Sequence, residues 1–141
     1  MTPRERLLKR INRNGDINNF DNPRPLVTLE EFFEGNDDFA SIGYNFNPPP
    51  GPQALYKLFK HVRDRPDVAD VLVEVKDHED PEGWPSSDTV WIVTSASPDE
   101  VQGWLGDQFR ADEILEGWGT SLKREPYEVP VGMKAIGVWY D

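Results

Sequence analysis

Apolar residues recur every three or four positions in four parts of the chain, which is the spacing of the buried face of an α-helix. Three of these parts follow a capping box, in which a Ser or Thr precedes a Glu by three residues, at Thr2, Thr28 and Ser97. The other part covers residues 55–62, after a run of prolines. We therefore predict an amphipathic helix in each part, and a further short helix over residues 112–118.

In other parts of the chain apolar and polar residues alternate, which is typical of β-strands. This pattern predicts strands over residues 41–46, 71–76, 89–95 and 134–140. In the strand at 89–95 apolar side chains fall on both faces, so we expect a central strand that is covered on both sides. The second and third strands form a hairpin, and residues 77–88 make an unusually long connection between them.

The order of these elements predicts an α+β fold, with an antiparallel or mixed sheet of about four strands and helices packed mainly on one face. We divide the chain into residues 1–25, an N-terminal amphipathic helix with a polar connector, and residues 26–141, a single α+β domain. The connector is rich in Asn and Pro, which leaves two arrangements open for the first helix. It is either docked on the domain or a partly mobile extension.

Charge is distributed unevenly along the 141 residues, whose net charge is -11. Residues 1–25 carry six basic and three acidic groups, whereas residues 26–55 carry five acidic groups and no basic one. Residues 76–100 carry seven carboxylates against Lys76 alone. A field of this sign repels nucleic acid and attracts a basic protein surface, so we expect no nucleic-acid partner and a basic protein as a possible one. Solubility alone explains the negative charge equally well.

The chain contains no Cys, which excludes a disulfide framework, a thiolate zinc site and a cysteine nucleophile. Its apolar runs are all much shorter than the roughly 20 residues that a membrane-spanning helix needs. We therefore expect a soluble cytoplasmic protein without a membrane partner.

Candidate catalytic and metal-binding residues are few, because His61 and His78 are the two histidines of the chain. His61 falls on a predicted helix and we interpret it as structural, whereas His78 lies among carboxylates that favour its charged form. These neighbours lack the spacing of a calcium loop, and neither a nucleophile elbow nor a glycine-rich phosphate loop occurs. The sequence thus assigns no catalytic residue, no metal site and no cofactor.

The long connection between the two hairpin strands is the strongest candidate for a functional site, since long loops often carry function. It combines carboxylates with an aromatic residue between Gly83 and Pro85. Two interpretations stay open: the Trp folds back over the sheet edge as a lid, or it anchors a partner protein that the carboxylates attract. The candidate binding residues are Asp77, His78, Glu79, Asp80, Glu82, Trp84 and Asp88.

No motif assigns the chain to a family. In size, charge and lack of Cys it is similar to bacterial immunity proteins, which bind and block a toxin. This resemblance implies a non-catalytic, immunity-type inhibitor of a basic partner protein. The alternative is a small-molecule-binding protein or an enzyme, with a pocket between sheet and helices that uses Tyr44, His61 or His78. The oligomeric state stays undetermined.

Overall fold

The computed structural model describes residues 1–119 and 122–141, in which four helices and five strands occur. The elements in chain order are α1 (Pro3–Ile11), β1 (Leu26–Thr28), α2 (Leu29–Phe33), α3 (Pro52–Arg63), β2 (Val68–Glu74), β3 (Thr89–Thr94), α4 (Pro98–Leu105), β4 (Glu113–Glu116) and β5 (Lys134–Trp139). None of these helices has the length and apolar character required to cross a lipid bilayer.

The five strands form one open sheet in the order β1-β2-β3-β5-β4, and every neighbouring pair is antiparallel. The predicted α+β class with an antiparallel sheet is confirmed, with five strands where about four were expected. Strand β3 lies in the middle, and all six of its residues are buried. The prediction of a central strand covered on both faces is therefore also confirmed.

All three predicted capping boxes are present at the starts of α1, α2 and α4. The hydroxyls of Thr2, Thr28 and Ser97 accept hydrogen bonds of 3.1, 3.0 and 3.2 Å from the backbone N–H three residues later. The Glu at that later position returns a bond to the cap residue's own N–H, at 3.2, 2.9 and 3.3 Å. Each box satisfies two N–H groups that the first helical turn leaves without a partner.

The two faces of the sheet are covered by different kinds of structure. Buried side chains from α1, α2, α3 and α4 form one cluster with alternate residues of β2, β3 and β5. The other face presents Leu72, Trp91 and Ala135, which pack against Leu115 and Trp118. Trp118 belongs to residues 117–119 and 122–133, which form no helix or extended strand and which we call the irregular segment. The sheet is therefore a middle layer between helices and the irregular segment.

A buried charge network fastens this segment to the second face. The Glu74 side chain is 1% exposed, and its carboxylate accepts hydrogen bonds from Arg24 at 2.7 Å, from Arg124, and from the Trp91 indole at 3.0 Å. Arg124 also donates to the Trp118 carbonyl. Because three donors surround the carboxylate, its burial is compensated.

Helix α1 is docked on the rest of the chain, which is one of the two arrangements that the sequence left open. Its Leu7 and Ile11 are 1% exposed and belong to the same cluster as the other helices. Arg10 donates two hydrogen bonds of 3.0 and 2.7 Å to the Glu125 carboxylate, which also accepts from Asn14 at 2.6 Å.

Two predicted elements are wrong. Residues 41–46 form turns instead of a strand: Gly43 has a φ of +66°, which ends extended structure, and Ile42 is buried while Tyr44 is 60% exposed. Residues 112–118 contain β4 instead of a short helix, because the free edge of β5 pairs with them. Strand β1 was not predicted, because its three residues are too few to show an alternation of apolar and polar positions.

Candidate functional site

Residues 77–88, which we call the acidic loop, are held on one side by the N-terminal part of the chain. The Arg4 guanidinium donates to the carbonyl of Gly83 at 2.8 Å and also to that of Pro81. The Asn18 amide brackets the backbone of His78, accepting from its N–H at 2.8 Å and donating to its carbonyl at 3.0 Å. These contacts order the loop without a ligand.

Trp84 holds the other side of the acidic loop to α2. Its indole Nε1 donates to the Phe32 carbonyl at 2.9 Å, and its backbone N–H donates to the Asp38 carboxylate at 3.0 Å. The ring is half-buried and packs against the main core cluster. The Trp84 ring is thus held against α2 and is half-buried, so it does not project fully into solvent.

A groove of about 500 Å³ lies between the acidic loop, the turns at residues 38–45 and the end of β5. Among the described residues that line it, one is a lysine, Lys76, whose Nζ is 4.0 Å from the Asp88 carboxylate. The acidic residues that line it are Asp38, Asp77, Glu79, Asp80, Asp88 and Asp141. The groove is therefore strongly negative, and five of these six acidic residues come from the two acidic zones of the sequence.

Aromatic residues make up another part of the groove wall. Tyr44 is 60% exposed and presents its ring to solvent, whereas Trp84 and Trp139 are half-buried. Tyr140 is buried, and its hydroxyl donates to the Phe109 carbonyl at 2.8 Å. Burial raises the pKa of Tyr140 well above its ordinary value, so its phenol stays neutral and structural.

Five of the seven predicted binding residues line the groove, namely Asp77, Glu79, Asp80, Trp84 and Asp88. Two do not contribute to the lining. The His78 ring forms a hydrogen bond of 3.0 Å to the Gly83 carbonyl, and Glu82 is exposed to solvent. Asp38 and Asp141 also line the groove but were not among the predicted binding residues, although Asp38 belongs to the acidic zone at residues 26–55.

Asp77 differs from the other groove carboxylates because it is 7% exposed. Its backbone pairs with Ser86 in an isolated antiparallel bridge, so the two side chains lie on the same side. The Ser86 hydroxyl donates to Asp77 Oδ1. This hydrogen bond fixes the carboxylate at the groove wall.

Neither histidine lines the groove. Within residues 1–119 and 122–141 no three His, Asp or Glu side chains are placed so that they could hold a metal ion. Ser86 is bonded to Asp77, while the His78 ring is engaged by a backbone carbonyl, and His61 is exposed on α3. What the groove offers is carboxylates and aromatic faces, which are the groups that bind organic cations.

Comparison with known proteins gives a family-level match. A family model, that of the Uncharacterized protein YfbO family, matches residues 2–138. The chain is 45% identical to Uncharacterized protein YfbO of Escherichia coli (strain K12) over 141 residues, which cover 100% of each protein. No solved structure matches the chain. These matches name no ligand, so the groove itself carries the functional argument.

Proposed function

The chain belongs to the YfbO family, and we propose that it is a non-catalytic module that binds a basic protein in its acidic groove, in the manner of an immunity-type inhibitor. The observation that carries this proposal is the convergence of six acidic residues and several aromatic ones on one groove, with Lys76 as the one lysine among the described lining residues.

The charge of the groove favours a basic partner in two ways. When several charges of one sign line a groove, the low-dielectric protein around them concentrates their field. This field raises the local concentration of an oppositely charged partner and accelerates its association. The exposed ring of Tyr44 adds a rigid apolar surface beside those charges, and such aromatic residues are enriched among the anchors of protein interfaces. Charge supports encounter, and the aromatic surface supports affinity.

The bonds that hold the acidic loop also support a binding role. Association costs free energy for each loop and side chain that it orders. Arg4, Asn18 and Trp84 already tie the loop to three other parts of the chain. A partner that binds the acidic loop therefore loses little free energy to ordering it.

The test is capture of partners from a lysate of the native host by the immobilised protein, followed by titration of each captured protein against variants. The variant Glu79→Gln/Asp80→Asn removes two exposed charges from the groove. The control Asp107→Asn/Glu128→Gln removes two exposed charges from residues that do not line it. Both variants change the net charge equally, so they separate the groove from the overall field.

We expect the groove variant to weaken binding of a basic partner by about tenfold, equivalent to about 1.4 kcal/mol, and the control to weaken it by much less. Most of the loss should be in the association rate and should shrink at high salt. Equal losses in both variants, or no loss in the groove variant, would contradict the proposal.

A second candidate function is the binding of a small organic cation. The groove volume of about 500 Å³ favours it, since small-molecule sites span roughly 300 to 1,000 Å³. The groove lies between loops at one end of the sheet, whereas the pocket predicted from the sequence lay between the sheet and the helices. A thermal-unfolding screen of diamines and polyamines tests it, and a saturable rise in midpoint without any protein partner would favour this candidate over the first.

A further inference from the structure

Among the described acidic residues, Glu74 and Asp77 are the most deeply buried, at 1% and 7% exposure. Glu74 is paired with two arginines and the indole of Trp91. Asp77 has no Lys, Arg or His nitrogen within 4.0 Å in the part of the chain that the structure describes. Its polar side-chain partner there is the neutral hydroxyl of Ser86.

A buried carboxylate without a cation is costly, because the protein interior replaces only part of the solvation that water supplied. The other charges around Asp77 increase this cost. Five more acidic residues line the same groove, and the nearest acid to the Lys76 ammonium is Asp88. An arriving cation would remove the unfavourable interaction and would therefore gain more here than at an exposed carboxylate.

We propose that Asp77 is the anchor of the groove and binds the ammonium or guanidinium group at the end of a lysine or arginine side chain. This inference rests on the proposed function and names the chemical group that the groove recognises. The Ser86 hydroxyl holds the carboxylate in place, and Tyr44, which lines the same groove, offers its ring to the alkyl stem or the charge.

The experiment uses single amino-acid amides as probes, so it needs no identified partner. N-acetyl-lysinamide and N-acetyl-argininamide are titrated into the full-length protein, and binding is followed by the backbone amide NMR signals of the acidic loop. N-acetyl-norleucinamide is the neutral analogue with a similar stem, potassium chloride controls for ionic strength, and spermidine represents a free polyamine.

We expect both cationic amides to shift the signals of Asp77 and Ser86 saturably, and the neutral analogue to leave them unchanged. Asp77→Asn should weaken the cationic amides at least tenfold, whereas Glu79→Gln, at the exposed rim, should weaken them less than threefold. Equal binding of the neutral analogue, or unchanged binding by Asp77→Asn, would overturn the proposal. The comparison of cationic and neutral amides in the wild-type protein decides the question even if the Asn variant does not fold.

The thermal stability of the ligand-free protein shows whether Asp77 serves as a binding anchor or stabilises the fold. Asn has nearly the shape of Asp and its amide oxygen still accepts a hydrogen bond from Ser86, so Asp77→Asn removes the charge and keeps this bond. We expect its thermal midpoint to stay the same or to rise, as is common when a binding residue is replaced. A fall in midpoint would mean that the carboxylate stabilises the fold, which contradicts an anchor role.

The two proposals can fail separately. If the cationic amides bind through Asp77 but no captured protein depends on the groove, the cation site stands and the protein-binding function fails. A spermidine affinity far above that of the amides would then assign the site to a free polyamine. If a captured basic protein depends on Glu79 and Asp80 but is insensitive to Asp77→Asn, the function stands and the anchor fails.

Discussion

Replacement of Glu74 by Gln tests whether the buried charge network holds the irregular segment on the second face of the sheet. The substitution keeps the shape of the side chain and removes its charge. Arg24 and Arg124 would then lie beside a neutral amide, although both are mostly buried, with 17% and 11% of their side chains exposed. The Trp91 indole N–H would also lie beside an amide, and it would lose its acceptor if the NH₂ group of that amide turned toward it.

Removal of one partner from a buried ion pair costs about 3 to 5 kcal/mol, because the remaining charge stays buried without compensation. The free energy of unfolding of a typical domain is about 5 to 15 kcal/mol, so this single change should remove about a fifth or more of the stability. At the usual entropy of unfolding for a chain of this size, the midpoint of thermal unfolding should fall by about 10 °C or more.

The matched control is Glu30→Gln. Glu30 also binds an arginine, Arg63, through two hydrogen bonds of 2.7 and 2.6 Å, but their side chains are 45% and 29% exposed. Such an exposed pair contributes about 0.2 to 1 kcal/mol, because water solvates the charges when the pair is broken. The two variants therefore have the same chemistry and differ in burial.

Urea unfolding followed by tryptophan fluorescence measures both variants, since Trp91 and Trp118 lie against the network with ring centroids 4.6 Å apart. Linear extrapolation gives the free energy of unfolding, and equal slopes show that the unfolded state is unchanged. A loss of less than about 1 kcal/mol in Glu74→Gln, or one no larger than in Glu30→Gln, would refute the reasoning.

Two further predictions concern acid stability and the acidic loop. Burial raises the pKa of Glu125, but hydrogen bonds from Arg10 and other donors outweigh it, so the net pKa is lowered from 4.5. The ionised Glu125 carboxylate therefore stabilises the folded protein fully above pH 4.5, and this stabilisation is lost as the pH falls through the lowered folded-state pKa. In a plot of the free energy of unfolding measured from about pH 3 to pH 7, Glu125→Gln should flatten the acidic part of the curve. A curve that does not change in this variant would contradict the prediction. Trp84→Phe replaces the indole by a smaller aromatic ring and removes the donor to the Phe32 carbonyl, and the lost hydrogen bond should cost about 0.5 to 1.5 kcal/mol. Amide hydrogen exchange in the acidic loop should accelerate in this variant, and unchanged exchange would show that the indole does not hold the loop.

Local signals in the sequence were sufficient for the parts of the fold that depend on neighbouring residues. A capping box joins residues three positions apart, so the starts of the helices at Thr2, Thr28 and Ser97 could be predicted without knowledge of the rest of the chain. The central strand was predictable for a similar reason. Its four consecutive apolar residues, at positions 90–93, occupy both faces of the strand, a pattern that an exposed segment would not carry.

Short segments were decided by their partners instead. Residues 113–116 place Ile114 toward the helical cluster and Leu115 toward the opposite face, which is strand geometry made possible by the free edge of β5. Four residues are too few to distinguish this pattern from a helical turn. Residues 41–46 alternate like a strand, but none of the five described strands pairs with them, and Gly43 turns the chain.

The candidate site divides in the same way. The sequence by itself determined the composition of the acidic loop and the presence of a Trp within it, and five of its seven candidate residues line the groove. The tertiary structure decided which carboxylates meet an arginine and which do not. Glu74 and Asp77 are three residues apart and both buried, yet Arg24 and Arg124 reach Glu74 from distant positions while none of the described cationic side chains pairs with Asp77. Compensation of a charge depends on distances of a few ångströms in three dimensions, which the order of residues along a chain does not contain.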